Sequence, residues 1–290
     1  MEPMTAFLYP GQGRLPRTLA SRPEDVSRLY ERAAAQGLPL LQWMQDDPQG
    51  RLSFTDAAQP ALFLDAIARD RALRTAGASP MAVGGHSLGE YAALVGAGVL
   101  SAEDALEIVI ERGRLMREID GAMVAILKLD IADVKQLCEA ESGDVVVANH
   151  NAPEQVVVSG RSPAVRRVSL RAAEQGGRCI PLPVSGPFHS PFMQPAEAAL
   201  RPTIEQTTFL PPSVPVVSGV SGKPETDPEE LKRLLTRQIT SCVQWVAAVK
   251  SLASLGVRRA IEVGSGDTLT RLGRRITSTV LFIPFEEVDR

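Results

Sequence analysis

Cysteine is scarce in this 290-residue chain: Cys138, Cys179 and Cys242 are odd in number, far apart and in no C-x-x-C pair. That spacing argues against a disulfide framework or a zinc site and predicts reduced, buried thiols. A basic excess is missing as well, since Lys and Arg total 31 against 34 Asp and Glu, a formal net charge of −3. With no surplus cations to neutralise phosphates, nucleic acid is not an expected partner. No apolar run approaches the roughly 20 residues of a membrane helix. The longest, residues 92–100, is broken by Gly96 and Gly98. The N-terminus, Met1-Glu2-Pro3-Met4-Thr5, carries an acid where a signal peptide has Lys or Arg. The expectation is therefore a soluble, cytoplasmic protein without a membrane partner. The chain is 44% apolar and 22% charged, as in ordinary globular proteins, and its length suits about two domains.

Patterning along the chain alternates strands and helices, the mark of an α/β fold. Ala6-Phe7-Leu8-Tyr9 reads as a buried strand ending in the loop Pro10-Gly11-Gln12-Gly13. Helical spacing follows over residues 25–36 and 59–76, with Pro60 placed in a first turn. Met81-Ala82-Val83 is a second strand, followed by a glycine turn, a small-residue helix over 92–98, and a helix capped by Ser101 that runs through Met116. Residues 121–184 then read strand, helix, strand, strand, helix, strand, the ferredoxin-like order. Complete in itself, this segment looks like a small domain inserted between two halves of a larger α/β domain, residues 1–120 and 185–290. Beyond it lie a Pro/Ser-rich loop, a short strand at 214–218, a helix from Glu229 and a longer one over 243–255. Strands at 259–263 and 280–283 follow, with Gly264-Ser265-Gly266 a second strand-to-helix turn.

Gly85-His86-Ser87-Leu88-Gly89 fits G-x-S-x-G, in which the glycines permit a sharp turn that lifts a serine hydroxyl from a strand end onto a helix N-terminus. Ser87 is the candidate nucleophile, and a serine nucleophile needs a base. Only His86, His150 and His189 are available. His86 adjoins Ser87 in the turn and should diverge from it; of the other two, His189 is preferred. An ordinary α/β-hydrolase carries its histidine near the C-terminus after an Asp or Glu. No histidine follows residue 189 here, so that template fits the turn and fails beyond it.

Taken in order, several segments resemble one known family, the malonyl-CoA:acyl carrier protein transacylases of fatty acid and polyketide synthesis. They are Phe7 to Gly13, Gln59-Pro60-Ala61-Leu62, Gly85 to Tyr91, Arg112-Gly113 with Leu115-Met116, Gly121-Ala122-Met123 and Asn149 to Gly160. Phe188-His189-Ser190 and Arg237-Gln238 ahead of Val243-Gln244-Trp245 complete the match. The resemblance implies a large α/β-hydrolase-like domain with the ferredoxin-like insert, and a malonyl-serine intermediate on Ser87. It implies His189 as base, held by an acceptor at Gln238, chiefly its backbone carbonyl, and an oxyanion hole from the N–H groups of Gln12 and Leu88. Arg112 matches the arginine that grips the free malonyl carboxylate. Phe188 matches the malonyl-selecting form of the loop, too bulky for an α-methyl branch. Gln59, Met116 and Asn151 count with the substrate-binding positions, as Asn149 and Gln155 do. Met116 and Met123 also have a plain reading as core, and Asn-x-Asn-x-Pro a plain reading as a turn.

The expected partners are malonyl-CoA and a phosphopantetheinylated acyl carrier protein, with no metal or redox cofactor and a monomeric chain. Three departures from the family pattern stand out: Arg14-Leu15-Pro16-Arg17 after the first loop, Ser241-Cys242 before Val243, and a short link between Arg112 and Gly121. A thioesterase-like hydrolase on the same fold is the main rival. The acyltransferase subunit of a malonate decarboxylase and a non-catalytic scaffold are others.

Overall fold

A computed structural model describes residues 4–13 and 23–288. Met1-Glu2-Pro3 and the altered segment Arg14-Leu15-Pro16-Arg17 lie outside the described residues. The strands are β1 (Thr5–Tyr9), β2 (Ala82–Gly85), β3 (Ala122–Leu127), β4 (Val145–Ala152), β5 (Gln155–Gly160), β6 (Arg178–Pro181), β7 (Val216–Val217), β8 (Pro224–Glu225), β9 (Arg259–Glu262) and β10 (Leu281–Pro284). The helices are α1 (Glu24–Ala35), α2 (Leu40–Gln45), α3 (Thr55–Thr75), α4 (Gly89–Gly96), α5 (Ala102–Arg117), α6 (Ile131–Glu139), α7 (Ser162–Glu174), α8 (Gln194–Gln206), α9 (Pro228–Thr236), α10 (Trp245–Ser254) and α11 (Thr268–Ile276). None of them is long and apolar enough to cross a membrane.

Two sheets result, a mixed α/β arrangement. One has the order β10-β9-β1-β2-β7-β8, parallel except for the β7/β8 pair. The other, β4-β5-β3-β6, is antiparallel throughout. Alternation along β1 sets the layers: Phe7 and Tyr9 join a core with Leu62, Leu94 and Leu106, while Ala6 and Leu8 join another with Trp245, Val249 and Leu269. Helices cover both faces, so the strand is apolar and buried from Ala6 through Tyr9. In β3 the same period of two sends Val124 and Ile126 toward α6 and α7, and Met123 and Ala125 toward the large core. The sheets meet where Val243 N–H donates to the Ala148 carbonyl at 2.8 Å and His150 N–H to the Val243 carbonyl at 2.9 Å.

Several elements differ from expectation. Helix α3 begins at Thr55 rather than 59, so Pro60 is its sixth residue and not in the first turn. Phe54 stands at the N-cap with no side-chain cap, which removes the usual start signal. Pro60 leaves the Asp56 carbonyl without its helical donor, and Gly113 of α5 packs there: a Cβ on it would lie 3.0 Å from Asp56 Cα. Asn-x-Asn-x-Pro is not a turn up to Ala152; β4 continues through both asparagines with register shifts after Val147 and His150. The helix expected from Val243 starts at Trp245, because Val243 is bridged to Asn149. The strand expected over 214–218 shrinks to Val216–Val217. At α5, Ser101 Oγ accepts from Asp104 N–H at 3.0 Å as expected, while the Ser101 hydroxyl donates to the Asp104 carboxylate at 2.7 Å.

Candidate active site between the two sheets

Strand β2 ends at Gly85 and α4 begins at Gly89, leaving three residues to reverse direction. Ser87 takes the strain with φ at 53°, a left-handed conformation unusual for a side-chain-bearing residue. Both glycines are required by close approach: a Cβ on Gly85 would lie 2.1 Å from Glu90 N, and one on Gly89 1.9 Å from the Tyr9 carbonyl oxygen. His86 N–H donates to that same Tyr9 carbonyl at 2.9 Å, which fastens the turn to β1.

Ser87 Oγ lies 2.7 Å from His189 Nε2. His189 is itself left-handed, at φ 58°, and its N–H donates to the Ile239 carbonyl at 3.0 Å. Its Nδ1 faces the Gln238 and Ser241 carbonyls at 3.0 and 3.1 Å. Carbonyls only accept, so Nδ1 carries the proton and Nε2 is left free to accept from the serine hydroxyl. Burial pushes the imidazole pKa down to about 3, with the Arg112 charge adding to the effect. The other two histidines are occupied elsewhere. His86 Nε2 is 2.8 Å from Asn151 Oδ1, and its ring meets Trp245 edge-on. His150 sits on β4, half-buried, with its backbone N–H on the Val243 carbonyl, and it does not line the cleft that holds Ser87.

Arg112 enters from α5 and is 1% exposed. Its Nη1 donates to Gln59 Oε1, and its Nη2 to Ser87 Oγ at 3.2 Å and Gln238 Oε1 at 3.3 Å. Nε has no hydrogen-bond partner among the described residues, and the guanidinium lies 5.5 Å over the Tyr91 ring. No carboxylate among the described residues reaches ion-pair distance of it. Desolvation accordingly lowers its pKa. A buried cation is ordinarily paired; this one is hydrogen-bonded by neutral groups and points at the serine.

Around these groups lies a cavity of about 260 Å³. Gln12 and Leu88 both line it, and among the described residues neither backbone N–H has a backbone acceptor. Gln12 is steered by its side chain, whose Oε1 accepts from Thr55 Oγ1 at 3.1 Å. Phe188, Met116 and Met123 form apolar wall, and Asn149, Asn151 and Gln155 reach in from the small sheet. Ser87, His189, Arg112, Gln12, Leu88, Gln59, Phe188, Met116 and Asn151 line this one cleft, while Gln238 does not line it and stands behind Arg112 and His189. Sequence reasoning passed over three contributors. Ser265, in the second glycine turn, and Leu272 of α11 also line the cavity; the Gly264-Ser265-Gly266 turn was the available signal. Glu90, 2% exposed in the first turn of α4, lies behind the site bonded to Gln238. An acid opening an otherwise apolar helix was the clue. No group of His, Cys, Asp and Glu among the described residues could hold a metal ion.

The family model for the acyl transferase domain matches residues 21–280. The malonyl CoA-acyl carrier protein transacylase of Escherichia coli (strain K12) is 40% identical over 288 residues, covering 95% of this chain and 93% of that one. The crystal structure of FabD from Acinetobacter baumannii is similar with a TM-score of 0.91 at 34% identity, covering 99% of this chain and 95% of its own. The complex of PlMCAT with AntF, a malonyl-transacylase with its type II PKS acyl-carrier protein, matches with a TM-score of 0.90 at 33% identity, covering 98% and 96%.

Proposed function

The chain belongs to the acyl transferase family, and from that premise we propose that it moves malonyl from CoA to the phosphopantetheine thiol of an acyl carrier protein through malonyl-Ser87. The observation that carries the malonyl assignment is Arg112, a buried guanidinium 3.2 Å from the nucleophile with no carboxylate at ion-pair distance among the described residues. A substrate carboxylate supplies the missing charge, and a planar fork receives it in two-pronged fashion.

In this reading Ser87 Oγ attacks the thioester carbonyl carbon as His189 Nε2 takes the hydroxyl proton. The N–H groups of Gln12 and Leu88 hold the oxyanion, each worth about 3 kcal/mol of barrier. Collapse breaks the carbon–sulfur bond, and the CoA thiolate leaves with the proton from His189. The carrier thiol then repeats the sequence in reverse, giving its proton to His189 and releasing Ser87. The Gln238 and Ser241 carbonyls stand where a triad aspartate would, so the dyad stays uncharged at rest. Gln59 orients Arg112, while Phe188, Met116 and Asn151 shape the acyl pocket.

We read the architecture as a hydrolase-like large domain, residues 1–120 and 185–290, with a ferredoxin-like insert at 121–184. Support comes from the antiparallel order β4-β5-β3-β6 within one contiguous segment. The protein is taken as a cytoplasmic monomer serving fatty acid or polyketide synthesis without a cofactor. Partition of product tests the reaction: with holo carrier protein present, malonyl should accumulate on the carrier thiol. Release of free malonate as the main product would instead establish a hydrolase.

A further inference from the structure

We infer that Glu90 is a positioning residue which, by fixing the Gln238 amide, sets Arg112 to receive the acyl carboxylate; this rests on the assignment of Arg112 given above. Donors converge on the Glu90 carboxylate. Gly219 N–H reaches Oε1 at 3.1 Å and Gln238 Nε2 reaches Oε2 at 2.6 Å, with the Ser218 hydroxyl beside them. Only a group that accepts at both atoms satisfies that arrangement.

The Gln238 amide has two N–H hydrogens, and its nitrogen lies 2.6 Å from Glu90 and 2.9 Å from the Ser87 carbonyl. Both neighbours accept, so the nitrogen must face them and the oxygen must face Arg112 Nη2, at 3.3 Å. Gln59 is set the same way from the other side: its nitrogen donates to Thr55 Oγ1 at 2.7 Å and its oxygen takes Arg112 Nη1. Two amide oxygens thus aim the guanidinium without neutralising it. A carboxylate in direct contact would occupy the fork that the substrate needs. Glu90 sits one residue further back, where it holds the amide in register and leaves the fork open.

Glu90→Gln tests this, because the new amide must present a donor either to Gln238 Nε2 or to Gly219 N–H. The first case turns the Gln238 amide and aims N–H groups at a cation; the second sets the new N–H groups against the Gly219 N–H, and the repulsion draws the side chain off Gln238. In either case the Gln238 amide loses its register. The full-length enzyme is assayed for kcat/KM with malonyl-CoA and acetyl-CoA, with holo carrier protein as acceptor, in wild-type and Arg112→Met backgrounds. The malonyl-to-acetyl ratio should fall about ten- to a hundredfold, the worth of a hydrogen bond to a charged group. Acetyl transfer should stay within a few-fold, and the double variant should show the ratio of Arg112→Met alone, as expected of residues acting through one contact. Equal loss for both substrates, no loss, or a further drop of the ratio in the Arg112→Met background overturns the inference. Should Glu90→Gln not fold, Glu90→Asp, which keeps both acceptor oxygens but draws them back by one methylene, must show the malonyl-specific loss; parallel loss of both substrates overturns it. If Arg112→Met itself leaves the ratio unchanged, the reading of Arg112 fails and takes this inference with it. If that variant lowers the ratio and Glu90→Gln does not, the inference alone fails.

Discussion

Replacing Arg112 with methionine removes a guanidinium that is 1% exposed, bonded to Gln59, Gln238 and Ser87 and set over the Tyr91 ring. A carboxylate about 4 Å from it gains on the order of 4 kcal/mol at the effective dielectric of a protein site. The two amide oxygens already hold part of that hydrogen-bonding capacity, so the net value for malonyl is taken as about 3 kcal/mol, the upper end for a hydrogen bond to a charged group. That corresponds to about a hundredfold loss of kcat/KM for malonyl-CoA. Acetyl-CoA brings no carboxylate and forfeits none of it. The Arg112 charge also depresses the His189 pKa, second only to burial. Its removal makes the base stronger, so acetyl transfer should hold or rise. Competition between the two thioesters, read as the intact mass of the carrier protein, gives the ratio directly. Stability should change little, since the desolvation cost of the buried cation that methionine relieves is offset by the Gln59 and Gln238 amide oxygens it leaves without a donor. Equal loss of malonyl and acetyl transfer, with the fold intact, would refute the reasoning and make Arg112 a structural residue.

His189→Ala should slow acylation by about 10²–10⁴-fold, the usual worth of positioned proton transfer; a near-normal burst of CoA release would point to another base. With His189 held at about 3, kcat/KM, which reports the free enzyme, should stay level from pH 8 down to pH 5 and fall only as pH approaches that value. An ordinary imidazole near 6.5 would be only about 3% neutral at pH 5, so an acid limb centred near 6.5 contradicts the burial argument. Gly89→Ala should abolish soluble folded enzyme rather than merely slow it. Its Cβ would meet the Tyr9 carbonyl oxygen at 1.9 Å and has nowhere to move; an active, stable variant by thermal melting would show that the turn relaxes.

Where local chemistry decides structure, the chain was readable in advance. The glycine turn around Ser87, the apolar alternation of β1 and the strand and helix order over residues 121–184 each follow from nearest-neighbour sterics or burial period. The first turn of α3 was missed because Phe54 supplies no side-chain cap and Pro60 imitates a helix start. Val243 was read as helix because nothing near it announces the bridge to Asn149, a contact made nearly a hundred residues away. The site followed the same division. Ser87 and His189 could be reached from the turn motif and the rarity of histidine. Arg112, Gln12, Leu88, Gln59 and Phe188 rested on family resemblance, since their convergence depends on how two sheets pack. Glu90 was overlooked although it stands in the same motif, because its partners Gln238 and Gly219 come from the far end of the chain.

The central claim is that Ser87 carries the acyl group between two thiols. Brief incubation with malonyl-CoA in the absence of carrier protein, followed by peptide mass spectrometry, examines it most directly. The account predicts a malonyl adduct on the peptide containing Ser87, absent from Ser87→Ala. A malonyl adduct on any other residue, or acyl transfer to the carrier that persists in Ser87→Ala, would contradict it.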